Sequence, residues 1–484
     1  MVSVNSAVRA ADPASVALID GTRQLTYGEL SDLVARTAGG LLAHDVGPGC
    51  HVAIASSTGF EGVVAYLGVH AVGAVAVMLN DRGTMPEFEA RFGVIEPMLV
   101  ILGGSWPVAL PTGPRSFRPA GSPHHDAPHL DDIGAPVVKV ESSTPAAVLF
   151  TSGVSGAPRA VQLTHGNLAA AQIGQVDMAG SGLTSSTIGL VALPLAHIFG
   201  LNSVLGALLR VGATIVLMER FDPRGAADLV ARHEINAISA VPQMWNSFLA
   251  ADLSDNAFAT LRRATASAAP LPDTTVTRMA EQFGVKLASG YGLTETSGTI
   301  SLDNPSNPRI GTVGRPLGDT EVRLVDNDGD DAEDGDTGEI WLRGSSICAQ
   351  YRSIDGIEPA LVAGGWHQSG DVGVFDSEGR LSVVDRIKDV VIVGGFNVSP
   401  SEVESVLLLH PSVANAAVVG EPDAVSGERI VAFVRPSSDG TATAEELADH
   451  CRRQLARYKV PSRFEIRDDL PLTDSGKLVR RLLR

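Results

Sequence analysis

Cysteine and basic residues are both scarce in this chain. Only three cysteines occur in 484 residues, Cys50, Cys348 and Cys451. Their number and separation argue against a disulfide framework or a zinc site, and predict a reducing, cytoplasmic compartment. Against 55 Asp and Glu stand only 37 Lys and Arg, for a formal net charge of −18. This balance argues against sequence-independent binding to nucleic acid or to an anionic membrane.

Long uninterrupted apolar runs are also missing. The first twenty residues lack the basic start and apolar core of a signal peptide, so we expect the mature protein to begin near its first residue. One stretch without acidic or basic residues, 187–209, is interrupted by Gly189, Pro194, Gly200 and Gly206. Because a membrane span needs about 20 apolar helical residues, a buried strand, a loop and a helix are predicted there instead.

The chain does contain enough apolar material for more than one core. Its length is about three times that of a single-core domain, and 44% of its residues are hydrophobic. Apolar strands alternate with amphipathic helices, which predicts an α/β fold with two wound α/β subdomains and a β-barrel-like part in a large N-terminal domain. The predicted strands are 52–56, 74–78, near 214, near 237 and 285–289, and the helices follow the Thr26–Glu29 capping box or cover 60–71, 223–233 and 273–283.

Two polar segments of this domain are predicted to be surface structure. Eight acidic residues within 326–339 faintly resemble a calcium loop, but the required glycine is missing and a hairpin turn is favoured. His124, His125, Asp126 and His129 lie in a segment rich in proline and glycine, which gives metal ligands no fixed scaffold. A solvated loop is therefore favoured over a metal site.

From residue 386 onward the pattern changes to a smaller α+β unit. Ser399, Pro400 and Glu402 have the residue types of the N-cap, N1 and N3 positions of a helix, and strands are expected on both sides of it. The predicted domains are 1–385 and 386–484.

Residues 149–167, LFTSGVSGAPRAVQLTHGN, have the chemistry of a phosphate loop. Small residues allow backbone N–H groups to approach a polyanion, and Thr151, Ser152 and Ser155 add hydroxyl donors. The G-x-x-x-x-G-K-[ST] pattern does not occur in the sequence, which excludes a P-loop NTPase. Taken alone, the segment is equally compatible with a flexible Ser/Gly turn.

The segment SGYGLTET, 289–296, carries groups suited to a nucleotide. It follows a predicted strand, at the edge where open α/β sheets bind ligands. Tyr291 offers a flat face to a base, Thr294 a hydroxyl to a phosphate, and Glu295 an oxygen to Mg²⁺. A buried tyrosine and an exposed glutamate in a turn are the alternative interpretation.

Two later segments add polar groups of matching chemistry. Asp371 is a natural acceptor for two ribose hydroxyls, and Arg386 can donate to the same sugar. Lys477 lies in a glycine-containing turn near the C-terminus, where a lysine is more often only solvated.

In this order, the segments resemble the core motifs of the adenylate-forming superfamily, which includes acyl-CoA and aryl-CoA ligases, adenylation domains and beetle luciferases. The resemblance runs from LTYGEL at 25 to the C-terminus. It implies that a carboxylate and ATP give an acyl-adenylate and pyrophosphate, with Mg²⁺ neutralising the leaving group, and that a thiol then displaces AMP. The other matching segments are LPLAHIFG at 193–200, VPQMW at 241–245, ASAAPLP at 266–272, GTVGRPL at 311–317 and GGFNVSPSEVE at 394–404.

The resemblance also implies roles for individual residues. Lys477 would bridge the carboxylate and the α-phosphate, and Lys388 would be the hinge of a mobile C-terminal domain. The catalytic set is Lys477, Thr294, Glu295 and His197, and the metal ligands are Glu295 and Thr151. The nucleotide-binding set is Thr151, Ser152, Gly153, Ser155, Gly156, Arg159, Ala268, Ala269, Gly290, Tyr291, Gly292, Thr294, Asp371 and Arg386. The acyl and CoA set is His197, Phe199, Val241, Trp245, Gly394, Gly395 and Phe396.

The chain departs from the usual motifs at a few positions. Val154, Arg159 and Ala160 replace the usual Thr, Lys and Gly of the phosphate loop, and Ser267 replaces a glycine of the S-G-A-P run. Val154 removes a hydroxyl donor, while Arg159 retains the positive charge with a different reach. We expect altered or weakened handling of ATP rather than its loss.

The segment 193–200 bears on the identity of the acid. Amino-acid adenylation requires an acidic residue there for the α-ammonium group, but Ala196 and His197 occupy the central positions. The apolar neighbours favour a fatty or aryl acid over an amino acid. The segment 394–404 resembles the fatty acyl-CoA ligase version of its motif, so a fatty acid is the first choice and an aryl acid the alternative. CoA is the expected acceptor. His197 could instead be a satisfied core histidine.

Other functions remain compatible with the sequence. An acyl-AMP ligase could load the phosphopantetheine of a carrier protein, and the altered loop could indicate a non-catalytic ligand-binding relative. A luciferase-like oxidation is a further alternative. The charge distribution favours binding of ATP, because 451–484 contains ten basic and four acidic residues around Lys477.

Overall fold

The computed structural model describes most of the chain. It covers residues 4–80, 83–104, 111, 113–124, 129–130, 134–135, 137–152, 158–326, 328–387, 389–393, 396–423, 427–437, 443–471 and 478–483. Within these ranges, only the backbone is described for Val4, Ser152, Pro158, Phe396, Asn397 and Arg481.

The strands are numbered in chain order. The first fifteen are β1 (Val16–Asp20), β2 (Arg23–Thr26), β3 (His51–Ser56), β4 (Val75–Leu79), β5 (Leu99–Gly103), β6 (Arg115–Phe117), β7 (Pro145–Ser152), β8 (Pro158–Thr164), β9 (Ile188–Val191), β10 (Thr214–Leu217), β11 (Ala237–Ala240), β12 (Arg263–Ala266), β13 (Leu287–Leu293), β14 (Gly298–Leu302) and β15 (Arg315–Pro316). The others are β16 (Glu321–Val325), β17 (Gly338–Arg343), β18 (Gln350–Ser353), β19 (Gly356–Pro359), β20 (His367–Phe375), β21 (Leu381–Arg386), β22 (Val391–Val393), β23 (Phe396–Val398), β24 (Val413–Asp423), β25 (Gly427–Pro436) and β26 (Arg463–Ile466).

Helices of three types connect these strands. The α-helices are α1 (Val4–Ala10), α2 (Tyr27–Ala43), α3 (Phe60–Ala71), α4 (Met85–Ile95), α5 (His165–Asp177), α6 (Ala207–Val211), α7 (Pro223–His233), α8 (Pro242–Ala250), α9 (Asp273–Phe283), α10 (Pro400–Leu408) and α11 (Ala444–Gln454). A π-helix covers Phe199–Gly206, and 3₁₀-helices cover Ala363–Gly365, Arg457–Lys459 and Arg480–Leu482.

Two large sheets form the body of the N-terminal part. The nine-stranded sheet has the order β15-β14-β13-β12-β11-β9-β10-β1-β2, and its central strands from β13 to β1 are parallel. The eight-stranded sheet has the order β19-β18-β8-β7-β4-β3-β5-β6 and is parallel from β7 to β6. One continuous apolar cluster includes residues of both sheets and of the helices between them. These two sheets confirm the predicted pair of wound α/β subdomains.

A smaller antiparallel sheet corresponds to the predicted barrel-like part. Its order is β16-β17-β20-β21, and Tyr291, Ile300, Ile340, Leu342 and Leu381 contribute to its own apolar cluster. The acidic segment connects β16 to its antiparallel neighbour β17, so the hairpin prediction is confirmed. His124 lies 3.7 Å from the Glu61 carboxylate, and the described residues contain no cluster of three or more potential metal-binding side chains.

The C-terminal part is a five-stranded sheet with two α-helices. Strands β23, β22, β25 and β24 are antiparallel neighbours, and β26 joins β25 in parallel. Ser399 is the N-cap of α10, where its hydroxyl accepts a hydrogen bond from the Glu402 amide, and Pro400 is the first helical residue. The sequence prediction for this helix start is confirmed.

The segment that lacks acidic and basic residues folds as β9, a loop and a helix that is partly π-helical. The interpretation as buried secondary structure is confirmed, although the π-helix was not predicted. Within the described residues, no helix is long and apolar enough to cross a membrane. Cys50, Cys348 and Cys451 are free thiols.

A pair of histidines lies in the core where α3 meets α5. The rings of His70 and His165 have centroids 4.7 Å apart, and each residue is 1% exposed. A nitrogen of His70 is 3.0 Å from the Ala146 carbonyl oxygen. Burial lowers the pKa of His165 to about 4 and the pKa of His70 well below its usual value. Both rings are therefore neutral in the folded protein near pH 7.

We predict that this pair makes the fold sensitive to mild acid. Unfolding returns both rings to a pKa near 6.5. Between about pH 6.5 and pH 4 the unfolded chain therefore binds more protons than the folded protein, and the free energy of unfolding decreases as the pH is lowered. The His165 contribution is roughly 3 kcal/mol across this window. The change His165→Gln should reduce the difference in melting temperature between pH 7.5 and pH 5. As a control, His44→Gln should leave that difference unchanged; equal pH profiles for all three proteins would contradict the prediction.

Candidate active site

The candidate site lies at the carboxyl ends of β12 and β13. The segment 266–272 begins at the last residue of β12, and the first five residues of the segment 289–296 are the last five of β13. Ser267, one of the departures from the usual motif, is buried and donates its hydroxyl to the Gly290 carbonyl oxygen at 2.8 Å. The next residue, Ala268, is exposed and has a φ of 72°, a left-handed conformation that non-glycine residues seldom adopt. Such backbone strain is typical of functional sites.

Three residues predicted from separate motifs meet beside these strand ends. The Tyr291 hydroxyl donates to one Asp371 oxygen at 2.7 Å, and the Arg386 Nε lies 2.8 Å from the other. Asp371 and Arg386 are paired across β20 and β21, whereas Tyr291 comes from β13. Burial, followed by the negative charge of Asp371, raises the pKa of Tyr291 well above its usual value. The tyrosine therefore remains a hydrogen-bond donor at neutral pH.

The turn between β13 and β14 contains Thr294 and Glu295. The Thr296 hydroxyl accepts the Leu293 amide at 2.8 Å and donates to the Gly298 carbonyl at 2.6 Å. The Cys348 amide donates to the Glu295 carbonyl oxygen at 2.7 Å. These bonds occupy the backbone of the turn, and Thr294 and Glu295 are partly exposed residues.

Glu295 receives a partner that the sequence did not indicate. The Tyr351 hydroxyl lies 3.3 Å from Glu295 Oε1, and burial followed by the charge of Glu295 raises the pKa of this tyrosine. Tyr351 is on β18, more than fifty residues further along the chain. The contact depends on the placement of β18 beside β8, which the sequence pattern does not show.

The phosphate-loop segment forms a hairpin of β7 and β8. Thr151 and Arg159 are paired across it, on either side of the loop. The Arg159 guanidinium lies 4.4 Å from the centre of the Tyr351 ring and 3.2 Å from the Glu358 carboxylate. Stacking of this kind suits the planar arginine better than lysine, which gives this departure from the usual motif a structural role.

The residues predicted for the acid site lie on the π-helix, α8 and the segments preceding them. His197 and Phe199 are partly buried, and Val241 is 5% exposed. Trp245 is completely buried, and its indole N–H donates to the Thr265 carbonyl oxygen at 3.1 Å. The placement of Trp245 is that of a core side chain, and its contact with an acid stays a prediction.

Several predicted residues fall outside the described part of the chain. These are Gly153, Ser155, Gly156, Lys388, Gly394, Gly395 and Lys477, together with the side chains of Ser152 and Phe396.

Arg480 is the centre of a charged cluster in the C-terminal part. Arg480 Nη2 lies 2.8 and 2.9 Å from the two Glu404 oxygens, and Arg480 Nη1 is 3.5 Å from Asp389 Oδ2. Burial raises the pKa of Glu404, and the neighbouring guanidinium opposes that rise. The Val479 amide donates to the Pro471 carbonyl oxygen at 2.8 Å, so the chain segments on both sides of 472–477 are held together.

Comparison with known proteins shows matches along nearly the whole chain. The family model described as AMP-binding enzyme matches residues 6–352, and the model for the AMP-binding enzyme C-terminal domain matches residues 402–477. A feruloyl-CoA synthase from Amycolatopsis sp. is 34% identical over 481 residues, which cover 97% of this chain and 95% of the relative. A long-chain-fatty-acid–CoA ligase from Haemophilus influenzae is 34% identical over 344 residues, 69% of this chain and 60% of the relative.

A solved structure gives the same picture at the level of the fold. The o-succinylbenzoate CoA synthetase from Bacillus subtilis, in complex with its acyl-adenylate intermediate, superimposes with a TM-score of 0.86 at 30% identity. The match covers 99% of this chain and 97% of that structure.

We predict that Asp371 is required for nucleotide binding, because its carboxylate is held in place by Tyr291 and Arg386. The change Asp371→Ala should weaken AMP binding 10- to 100-fold, the range expected for lost hydrogen bonds to a charged group, as measured by calorimetry. The control Asp376→Ala alters an exposed carboxylate in the turn after β20 and should leave the affinity unchanged. Wild-type affinity in the Asp371 variant would contradict this assignment.

Proposed function

The chain belongs to the AMP-binding enzyme family, and we propose that within it the substrate is an apolar carboxylic acid. The protein is an AMP-forming acid–CoA ligase, in agreement with the CoA synthase and CoA ligase names of its full-length relatives. The observation that carries nucleotide use is the contact of Tyr291 and Arg386 with Asp371, which brings the proposed adenine and ribose residues together.

The proposed reaction has two steps. In the first, a carboxylate oxygen of the acid attacks the α-phosphorus of ATP, and the bond to pyrophosphate breaks. In the second, the thiol sulfur of CoA attacks the acyl carbon, the carbon–oxygen bond to AMP breaks, and the thiol proton leaves to solvent. Asp371 and Arg386 hold the ribose, Thr294 binds the α-phosphate, and the β7–β8 hairpin carries the phosphate loop.

Glu295 and Thr151 are the proposed ligands of Mg²⁺. The fit rests on the chemistry of the donors: Glu295 presents a partly exposed carboxylate, which the Tyr351 hydroxyl orients. When bound, the ion neutralises the phosphate charge that develops on the leaving pyrophosphate.

The absence of an acidic side chain in 193–200 supports an apolar acid over an amino acid. We favour a fatty acid, in agreement with the name of the long-chain-fatty-acid–CoA ligase relative. An aryl acid is the second candidate, because the full-length feruloyl-CoA synthase is named for an aryl acid. A panel of alkyl, aryl and amino acids, assayed for AMP release with and without CoA, separates these classes. Release with amino acids alone would overturn the proposal.

CoA is the acceptor in the activity for which the relatives are named, and a carrier-protein thiol is the alternative that the sequence leaves open. If a carrier protein is the acceptor, hydroxylamine should trap accumulated adenylate while CoA remains unconsumed. ATP–pyrophosphate exchange with any acid would exclude a non-catalytic ligand-binding protein, and light emission with oxygen would indicate an oxidative reaction.

We further propose a domain boundary at 385/386, with Lys388 as the hinge. Support comes from Asp385, whose carboxylate accepts the Ser399 hydroxyl at 2.6 Å and the Ser401 amide at 3.2 Å. Asp385, the last residue of the proposed large part, thus contacts the start of α10 in the proposed small part.

We predict that Lys477→Ala separates the two half-reactions. Adenylate formation should be abolished because the positive charge at the α-phosphate is lost, whereas thioester formation from supplied acyl-adenylate should be retained because the rotated domain withdraws this lysine. The measurements are pyrophosphate exchange and CoA consumption. Arg481→Ala provides a control that removes a neighbouring positive charge. Equal loss of both half-reactions in Lys477→Ala would contradict the two-conformation account.

A further inference from the structure

The π-helix Phe199–Gly206 contacts a turn of the candidate site from the protein interior. It begins two residues after His197 and therefore continues directly from the proposed acid-binding segment. π-Helical turns are rare and are frequent at functional sites. Asn202 and Ser203, in the middle of this helix, are 0% and 4% exposed.

Asn202 uses its whole side-chain amide in hydrogen bonds. Its nitrogen donates to the Ser297 carbonyl oxygen at 2.8 Å and to the Leu168 carbonyl oxygen at 3.1 Å. Its oxygen accepts from Gln172 at 2.6 Å, and Gln172 in turn accepts the Arg210 Nε at 2.8 Å. The orientation of Asn202 is therefore set by α5 and α6, away from the site.

Ser297 is the residue that needs such support. Its φ of 59° is left-handed, and the residue is completely buried. An L-residue keeps this conformation only where its surroundings hold it. Three hydrogen bonds hold Ser297. Its amide donates to the Thr294 carbonyl oxygen at 3.1 Å, its hydroxyl donates to the Ser346 carbonyl oxygen at 2.8 Å, and its carbonyl oxygen accepts from the Asn202 amide.

The following residue of the π-helix binds the same turn at its far end. The Ser203 hydroxyl accepts the Thr299 amide at 2.9 Å, and the Thr299 hydroxyl lies 3.1 Å from it. Gly298, between the two contacts, packs so closely that a Cβ there would overlap the Ser203 hydroxyl. The turn that carries Thr294 and Glu295 is thus attached to the π-helix on both sides of Gly298.

We infer that Asn202 is a positioning residue that holds the Thr294–Ser297 turn in its nucleotide-binding conformation. The inference rests on the proposed roles of Thr294 and Glu295. Because Asn202 contacts the backbone of Ser297 and neither of those side chains, its effect is on their placement. The same helix starts in the proposed acid site, so the two substrate sites share one rigid element.

The test is Asn202→Ala, with two measurements. In pyrophosphate exchange, kcat should fall 10- to 100-fold while the KM for the acid changes less than twofold. In thermal unfolding, the rise in melting temperature caused by saturating AMP should be largely lost. A purely structural role would lower the melting temperature of the free protein and leave the AMP-induced rise intact.

Asn236→Ala is the matched control. Asn236 accepts the Ile188 amide at 3.0 Å in the same sheet, at the amino ends of the strands and therefore opposite the site. It should lower stability without reducing the AMP-induced rise. If Asn202→Ala does not fold, Ser203→Ala is tested instead. This change removes the contact with Thr299 and should reduce the AMP-induced rise in melting temperature by a smaller amount.

The outcomes separate this inference from the proposed function. If the wild-type protein shows no exchange with any acid, the proposed function fails, and the AMP-induced rise still decides the role of Asn202. The inference is overturned if the folded Asn202 or Ser203 variant shows the same AMP-induced rise in melting temperature as the wild-type protein. It is also overturned if the variant's rise is reduced no more than that of Asn236→Ala.

Discussion

The Asp371 carboxylate is the interaction on which the candidate site depends. It is 3% exposed and lies between a tyrosine at the end of the nine-stranded sheet and an arginine of the four-stranded sheet. A charge this deeply buried is tolerated only when its oxygens are paired. The ion pair with Arg386 lies within the four-stranded sheet, and the hydrogen bond from the Tyr291 hydroxyl links that sheet to β13. The proposed adenine and ribose positions are held in one place for the same reason.

The turn after β13 shows how backbone strain is maintained next to the site. Ala268 and Ser297 both have left-handed φ angles, at the ends of neighbouring segments. Ser297 is held by a hydrogen bond from Asn202 of the π-helix and by one to Ser346. Ser267, the residue before Ala268, donates a hydrogen bond to Gly290. Residues keep a strained backbone conformation only where the surrounding contacts hold it. The π-helix supplies such a contact to Ser297 in addition to connecting β9 with α6.

Two departures from the usual motifs make specific contacts in this protein. Ser267 adds a hydrogen bond from the end of β12 to the middle of β13, and Arg159 combines a stacked tyrosine with an ion pair to Glu358. Arg159 thereby links the phosphate-loop hairpin to the tyrosine that contacts Glu295. A lysine at this position would supply the charge but not the planar surface.

Local patterns predicted most helices closely and the strands within a few residues. The helices 223–233 and 273–283 have the predicted bounds, because capping and apolar spacing are properties of neighbouring residues. The strand predicted at 285–289 instead begins at Leu287 and extends to Leu293, since its second half pairs with β14. The π-helix was missed because its hydrogen-bond register depends on packing against distant segments.

The sequence by itself determined the α/β class, the order of the motifs and the residue types of a nucleotide site. These are encoded in periodicity, in caps and in short segments whose chemistry is legible without a fold. Only the tertiary structure decided three hydrogen bonds: from the Tyr291 hydroxyl to Asp371, from the Tyr351 hydroxyl to Glu295, and from the Asn202 amide to the Ser297 carbonyl oxygen. Each of these contacts joins residues more than fifty positions apart, and the pairing and packing that bring them together leave no mark in the local pattern.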